Sequence, residues 1–289
     1  PEGGSFASVV FNGAKLAAEH TGCDVAYVWS DWNPQKMVQQ FKEAIARRPD
    51  GIAIMGHPGE PALGSLIDEA REAGIVVTTQ NVDLPNAESR YKAEGFGYVG
   101  QFLYASGFNL GKGAVRQCGL ASGDKALVWG LLGQEARGQR TRGVIEALEE
   151  EGVEVDYLEI SDEVNADAAT GTPVFASFSA AHPDLKLVVT DHGALTATLG
   201  TYLRTAGKGP DEICGAGFDL SAATAQAIEE GFVDVVLDQQ PFLQGYLPVL
   251  QLYLTTKFGF AGMNVDTGAA LITAENIGAV APLAAEAIR

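Results

Sequence analysis

Several apolar runs in this chain end in side chains built for hydrogen bonding. Gln80 and Asn81 follow IVVTT, Asp191 and His192 follow LVVT, Asp219 follows GAGF, and Gln239 and Gln240 follow VVLD. Arg142 stands near a helix start after the apolar run 125–133, and Phe6 stands at the start of the first helix. Planar amides and carboxylates meet neighbouring hydroxyls two at a time, a guanidinium donates in a fork, and an aromatic face covers C–H surface. The mixture suits an uncharged, hydroxyl-rich small molecule, a sugar or polyol, in a water-depleted pocket. One arginine opposite one or two aspartates leaves no excess positive charge, which argues against a phosphorylated ligand. Each residue also has a plainer reading. Asp219 would cap a helix, Arg142 would pair with an acidic neighbour, Gln240 would bond the backbone of a hinge, and Phe6 would join the core. Two further candidates are His57, in IMGHPGEP, and Trp32, in VWSDWNPQ, with packing as the alternative.

Catalytic machinery is not visible beside them. The sequence holds no phosphate-binding GxxxxGK[ST], no GxGxxG after a strand, no GxSxG and no HExxH, so no catalytic residue, cofactor or metal is expected. The histidines (His20, His57, His182, His192) lack metal-ligand spacing. Cys23, Cys118 and Cys214 make an odd number without a CxxC, read as three small half-buried thiols. One disulfide plus a free thiol stays open.

The elements that must position these groups come as a duplication. Residues 12–28 (NGAKLAAEHTGCDVAYV) and 142–158 (RGVIEALEEEGVEVDYL) each read as an amphipathic helix, a glycine and a short strand. RRPDGIAIM at 47–55 pairs with AHPDLKLVV at 181–189, and GIVVTTQN at 74–81 with ICGAGFDLS at 213–221. Helices alternate with strands apolar on both faces, which belong in parallel sheets covered by helices. The expected fold class is α/β, two doubly wound parallel-sheet lobes joined by a multi-strand hinge, with ligands at the carboxyl ends of the strands. The expected lobes are 1–103 plus 240–267 and 104–239 plus 268–289. Crossings are read at 98–115 and 234–254, and Gly97, Gly100, Gly245 and the strand near Thr267 are hinge candidates. KALVWGLLG at 125–133 precedes its helix as a strand, whereas the helix near Phe6 has no such strand before it. A further strand upstream of Pro1 is therefore expected.

With 37 acidic against 19 basic residues, the chain of 289 carries a formal charge of −18. That field repels phosphate backbones and anionic headgroups, so neither nucleic acid nor membrane surface is an expected partner. No apolar run reaches the roughly 18 residues of a membrane span.

In these motifs the chain resembles the ribose- and galactose-type periplasmic sugar-binding proteins of ABC transporters, the type I periplasmic binding proteins. The resemblance rests on SFASVVFNGAKLAA, PDGIAIM, AGIVVTTQN, GYVGQFLYASGFNLGKGA, AHPDLKLVVTD, GAGFD and DQQPFLQGYLPV in one order. It implies a ligand cleft contacted by Phe6, Gln80, Asn81, the RGxxxA arginine (Arg142), His192 with Asp191 beside it, Asp219, and the hinge glutamine Gln240. Ala7 stands where many relatives have a second aromatic, and Gln80-Asn81 where several have Asp-Arg, so the pocket is expected to be amide-rich. The resemblance further implies export to the periplasm or cell exterior, action as a monomer, capture by hinge closure and an ABC transporter permease as partner. The alternatives are the sensing core of a LacI-type repressor, whose DNA-binding segment is not seen here, and a carbohydrate-active α/β enzyme.

Overall fold

The computed structural model describes residues 4–289, with side chains from Phe6 onward. It divides into two units, one of residues up to Gln101 with Gln240–Thr267 and one of Phe102–Gln239 with Gly268–Ala287. Ile288 groups with the first and Arg289 with the second.

The chain begins in the first lobe with α1 (Gly4–Thr21), α2 (Pro34–Ala46), β1 (Gly51–Met55), α3 (Glu60–Glu72), β2 (Val76–Gln80), α4 (Pro85–Tyr91) and β3 (Tyr98–Gly100). It crosses into the second lobe as α5 (Leu103–Cys118), β4 (Lys125–Gly130), α6 (Gly138–Glu150), β5 (Glu154–Glu159), α7 (Asp162–Ala166), α8 (Thr172–Ala181), β6 (Leu185–Thr190), α9 (Gly193–Thr205), β7 (Cys214–Phe218), α10 (Ala222–Glu229) and β8 (Val235–Asp238). α11 (Pro241–Phe258) and β9 (Asn264–Asp266) belong to the first lobe, β10 (Ala270–Ile272) and α12 (Ile277–Ala285) to the second.

The first lobe's sheet has the order β1-β2-β3-β9, all parallel. The second lobe's sheet runs β10-β8-β7-β6-β4-β5, parallel except for β10, which pairs antiparallel with β8. Its central strands β4, β6, β7 and β8 are buried on both faces. Leu127, Trp129, Val188 and Val236 pack into one apolar layer, and Ala126, Val128, Leu187, Val189 and Leu237 into the other. That alternation is why these strands read as unbroken apolar runs.

One expected strand is absent. Residues 24–28 alternate exposed and half-buried positions yet pair with no strand among the described residues. α1 holds the segment instead, through Phe11 against Tyr27 (4.9 Å between ring centroids) and Trp29 (5.4 Å). β1 is accordingly an edge strand with all five residues only half-buried.

The duplication extends to helix packing. α1 meets α11 where a Cβ on Gly13 would stand 2.0 Å from the Phe242 carbonyl oxygen, and one on Gly245 1.8 Å from that of Val10. α5 meets α6 in the same way, through Gly107 (1.9 Å from the Arg140 carbonyl oxygen) and Gly143 (2.3 Å from that of Tyr104). Only glycine allows such backbone contact.

The cysteines correct the reading of three free thiols. Cys118 at the end of α5 and Cys214 at the start of β7 form a disulfide, and Cys23 is free.

Candidate functional site

The carboxyl ends of the second lobe's central strands gather two guanidiniums, two carboxylates, an imidazole and an amide. Asp191 follows β6 and is 3% exposed. Its Oδ1 accepts from Arg140 Nε (3.1 Å) and Thr141 Oγ1 (2.9 Å), and its Oδ2 from Arg140 Nη2 (3.0 Å). Arg140 also lies over the Phe218 ring, 4.6 Å from the centroid. Burial works against the Arg140 charge, but Asp191, in contact, and Asp219 hold its pKa above the ordinary value. Arg137, one turn earlier, has its Nη2 3.9 Å from Asp191 Oδ2. Burial, helped by repulsion from Arg140, brings its pKa down to about 10, against the pull of Asp191 and Asp219.

Asp219 follows β7 with φ at 71°, in the left-handed region that Asp and Asn tolerate best. Its Oδ2 accepts from the Gly193 amide (3.0 Å) and its Oδ1 from Gln239 Nε2. The capping alternative is thus realised across the sheet: Asp219 caps α9, while Ser221 caps α10. His192, the residue before α9, keeps an enclosed Nε2 without a hydrogen-bond partner. Burial, with Arg137 nearby, pushes its pKa down to about 4, so the ring is neutral at physiological pH.

Arg142 is not in this group. It lies on the exposed face of α6, two residues beyond Arg140 and so on nearly the opposite side of the helix. Arg137 and Arg140, three residues apart, share the inner face. The helical period of ARGQRTRG carried that signal, which the RGxxxA pattern obscured. The balance of charge also changes, since two arginines now stand beside the two aspartates.

In the first lobe the structure brings Phe6, Trp32 and His57 together. Their ring centroids are 5.8 Å apart for Phe6–Trp32 and 5.3 Å for Trp32–His57. Trp32 is 39% exposed. Gln80 ends β2, half-buried. Asn81, with φ at 67°, is the duplicate of Asp219, each six residues after an isoleucine, Ile75 or Ile213. Each sends its amide to the next strand, Asn81 to Val99 (3.1 Å) and Asp219 to Leu237 (3.0 Å). The Asn81 side chain turns inward, Nδ2 donating to Gln244 Oε1 (3.0 Å), while Gln244 Nε2 donates to Thr267 Oγ1 (3.1 Å). Gln240, left-handed at φ 53°, donates its Nε2 to the Thr267 carbonyl (2.9 Å), so its backbone-bonding alternative is realised. Tyr98 joins this network, its hydroxyl donating to the Gln101 carbonyl at 2.6 Å. Sequence reasoning missed Gln244 and Tyr98, because nothing in a helix interior or a strand marks a side chain as part of a buried network.

Among the described residues no cluster of His, Cys, Asp and Glu is arranged to hold a metal ion, and no helix is long and apolar enough to cross a membrane.

Residues 1–257 match the periplasmic binding protein domain. The xylose/arabinose-binding protein XylF of Sulfolobus acidocaldarius is 31% identical over 255 residues, covering 83% of this chain. The chain spans 61% of that curated relative's length. A carbohydrate transporter from Acidothermus cellulolyticus 11B, solved with myo-inositol, is 25% identical at a TM-score of 0.81, covering 100% of this chain and 96% of its own. An ABC transporter solute-binding protein from Burkholderia graminis C4D1M, solved with D-arabinose, has the same fold at a TM-score of 0.81 and 24% identity, covering 94% and 92%. With two lobes of this topology and a domain match over most of its length, the chain belongs to the periplasmic binding protein family.

Proposed function

We propose that this protein is the solute-binding component of an ABC transporter, capturing a small neutral monosaccharide or polyol by hinge closure and handing it to a membrane permease, without catalysis. The observation that carries the reading is the charge-balanced set at the second lobe's sheet edge. Arg137 and Arg140 beside Asp191 and Asp219 offer forks and carboxylates with no net charge, which suits hydroxyls better than phosphate. In the first lobe the Phe6–Trp32–His57 rings supply the apolar face that a sugar's C–H surface needs, and Gln80, half-buried at the end of β2, supplies an amide. The ligands of relatives, xylose, arabinose and myo-inositol, fall in this class. The disulfide supports a place outside the cytoplasm, where such bonds persist. One copy acts alone in this reading, and no nucleic acid takes part.

A thermal-shift screen across pentoses, hexoses and polyols tests it. A ligand at 100 times its dissociation constant stabilises the protein by about 2.7 kcal/mol, and the sugar should be recovered unchanged. A flat screen, or turnover of the sugar, overturns the reading.

A further inference from the structure

Three successive backbone amides leave β4 for the loop 131–137, and a different side chain takes each. Leu131 donates to Thr141 Oγ1 (3.2 Å), Leu132 to Tyr157 Oη (2.9 Å) and Gly133 to Glu159 Oε2 (3.4 Å). Tyr157 in turn donates to Glu159 Oε2, which closes the set. Thr141 also donates to Asp191 Oδ1 (2.9 Å), and Arg140 and Asp191 brace α6 against β6 as an internal strut. The loop therefore has two anchors. The inner one, Thr141 with Asp191, is buried among the charged groups at the strand ends. The outer one stands on β5, the edge strand of the sheet, where Tyr157 and Glu159, two residues apart, share a face. Gly133 is exposed, and water would satisfy its amide as well as Glu159 does. The outer bonds thus fix the loop's shape more than they satisfy its backbone. Burial, with the Glu159 bond and the Asp191 charge, raises the Tyr157 pKa further, so the hydroxyl keeps its proton and serves as donor and acceptor at once.

We infer that Tyr157 and Glu159 are positioning residues of the ligand site, holding the loop 131–137 from the sheet edge in the shape that admits the sugar. This rests on the sugar-binding reading above. The loop joins β4 to α6, so its shape governs the approach to the strand ends where Asp191 stands. Without its outer anchor the loop keeps only the inner one and samples shapes in which the site is incomplete. The sugar then binds only the fraction of molecules with the loop in place, and its apparent affinity falls by that fraction. The weakening appears in association, since the bound state, once formed, has the loop in its proper shape.

Titration and stopped-flow binding of D-xylose, L-arabinose, D-arabinose and myo-inositol to wild type, Y157F, E159A, E159Q and E154A test the inference, alongside amide exchange across 131–136. Y157F and E159A should each bind the best wild-type ligand about 2- to 10-fold more weakly, the scale of a lost hydrogen bond. The loss should lie in the association rate, with dissociation near wild type. E159Q keeps an acceptor for both donors and should bind within about 2-fold of wild type. E154A, at the far end of β5, should match wild type. Exchange at Leu132 and Gly133 should quicken in ligand-free Y157F and E159A and slow again with sugar bound. Both variants binding as wild type does, or losing affinity through faster dissociation alone, overturns the inference and leaves the sugar-binding reading standing. A wild type that binds none of these sugars, nor any other in the wider screen, removes both.

Discussion

Charge at the second lobe's sheet edge is held by one buried pair. Asp191 and Arg140 are 3% and 4% exposed, and each satisfies the other bidentately. Such a pair adds little net stability, but removing one partner strands a charge in the interior. Asp191→Asn should lower stability to urea by about 3–5 kcal/mol, and Arg140→Met combined with Asp191→Asn should recover much of it. Equal stability of Asp191→Asn and wild type would contradict the pairing. His192 gives a pH signature beside it. Its pKa is about 4 when folded against the ordinary 6.5, so between those values the unfolded chain takes up a proton that the folded chain refuses. Stability tied to His192 is thus intact above about pH 6.5 and falls as pH drops toward 4, by at most about 3 kcal/mol and less for the solvent the ring still meets. His192→Gln should flatten that slope in melts across pH 4–7, with Arg137, Arg140 and Asp191 around it unchanged. At this scale the sequence named Asp191, His192 and Asp219 because they follow apolar strands. It pointed to Arg142, which the structure leaves on the exposed face of α6, because facing is decided by helical phase and a local motif does not show which side of the helix meets the sheet.

Glycine contacts between helices set where that arginine pair stands. α6 can lie against α5 only because Gly107 leaves room for the Arg140 carbonyl, and α1 against α11 only because Gly245 leaves room for Val10. A methyl group at either site would sit under 2 Å from backbone oxygen, so the helices must separate. Gly107→Ala and Gly245→Ala should each cost about 1–3 kcal/mol or more, the usual scale of overpacking. Gly107→Ala should also weaken ligand binding, since it shifts the strut that Arg140 makes. Gly278→Ala, in α12 with nothing within 4 Å of its Cβ position, should instead be neutral or stabilise by about 0.5–1 kcal/mol. Chemical denaturation of the three variants checks this order. The repeated units were legible because each is local: Gly13 and Gly143 mark equivalent helices, and Ile75 to Asn81 repeats as Ile213 to Asp219. Pairing was less so. Residues 24–28 have the alternation of a strand but pair with none among the described residues, since a ladder needs a neighbour that local pattern does not supply. The antiparallel β10 was likewise hidden, since direction is set by where the chain re-enters the sheet.

Over the whole molecule, the chain passes between its lobes at Gln101–Phe102, Gln239–Gln240 and Thr267–Gly268, each just beyond a strand of the first or second sheet. Two of these passages showed in the sequence as strands running into amphipathic helices. What composition could not show is the covalent link, because three cysteines permit three pairings, and the choice depends on the sheet order that brings α5 over β7. The Cys118–Cys214 bond spans 96 residues, all within the second lobe, and so encloses β4, β5 and β6 with their helices. Closing a loop of that length removes much of the unfolded chain's freedom, with a chain-entropy value of about 4–5 kcal/mol and measured effects from about 0 upward. A reductant should therefore lower the melting temperature, and Cys118→Ser with Cys214→Ser should reproduce the drop and abolish further response to reductant. Cys23→Ser should leave it unchanged, because that thiol takes no part in the bond. Thiol titration of the denatured protein should find one reactive group without reductant and all 3 with it. Three groups in protein purified from an oxidising compartment would mean that the second lobe folds without its bond and that its stability comes from packing alone.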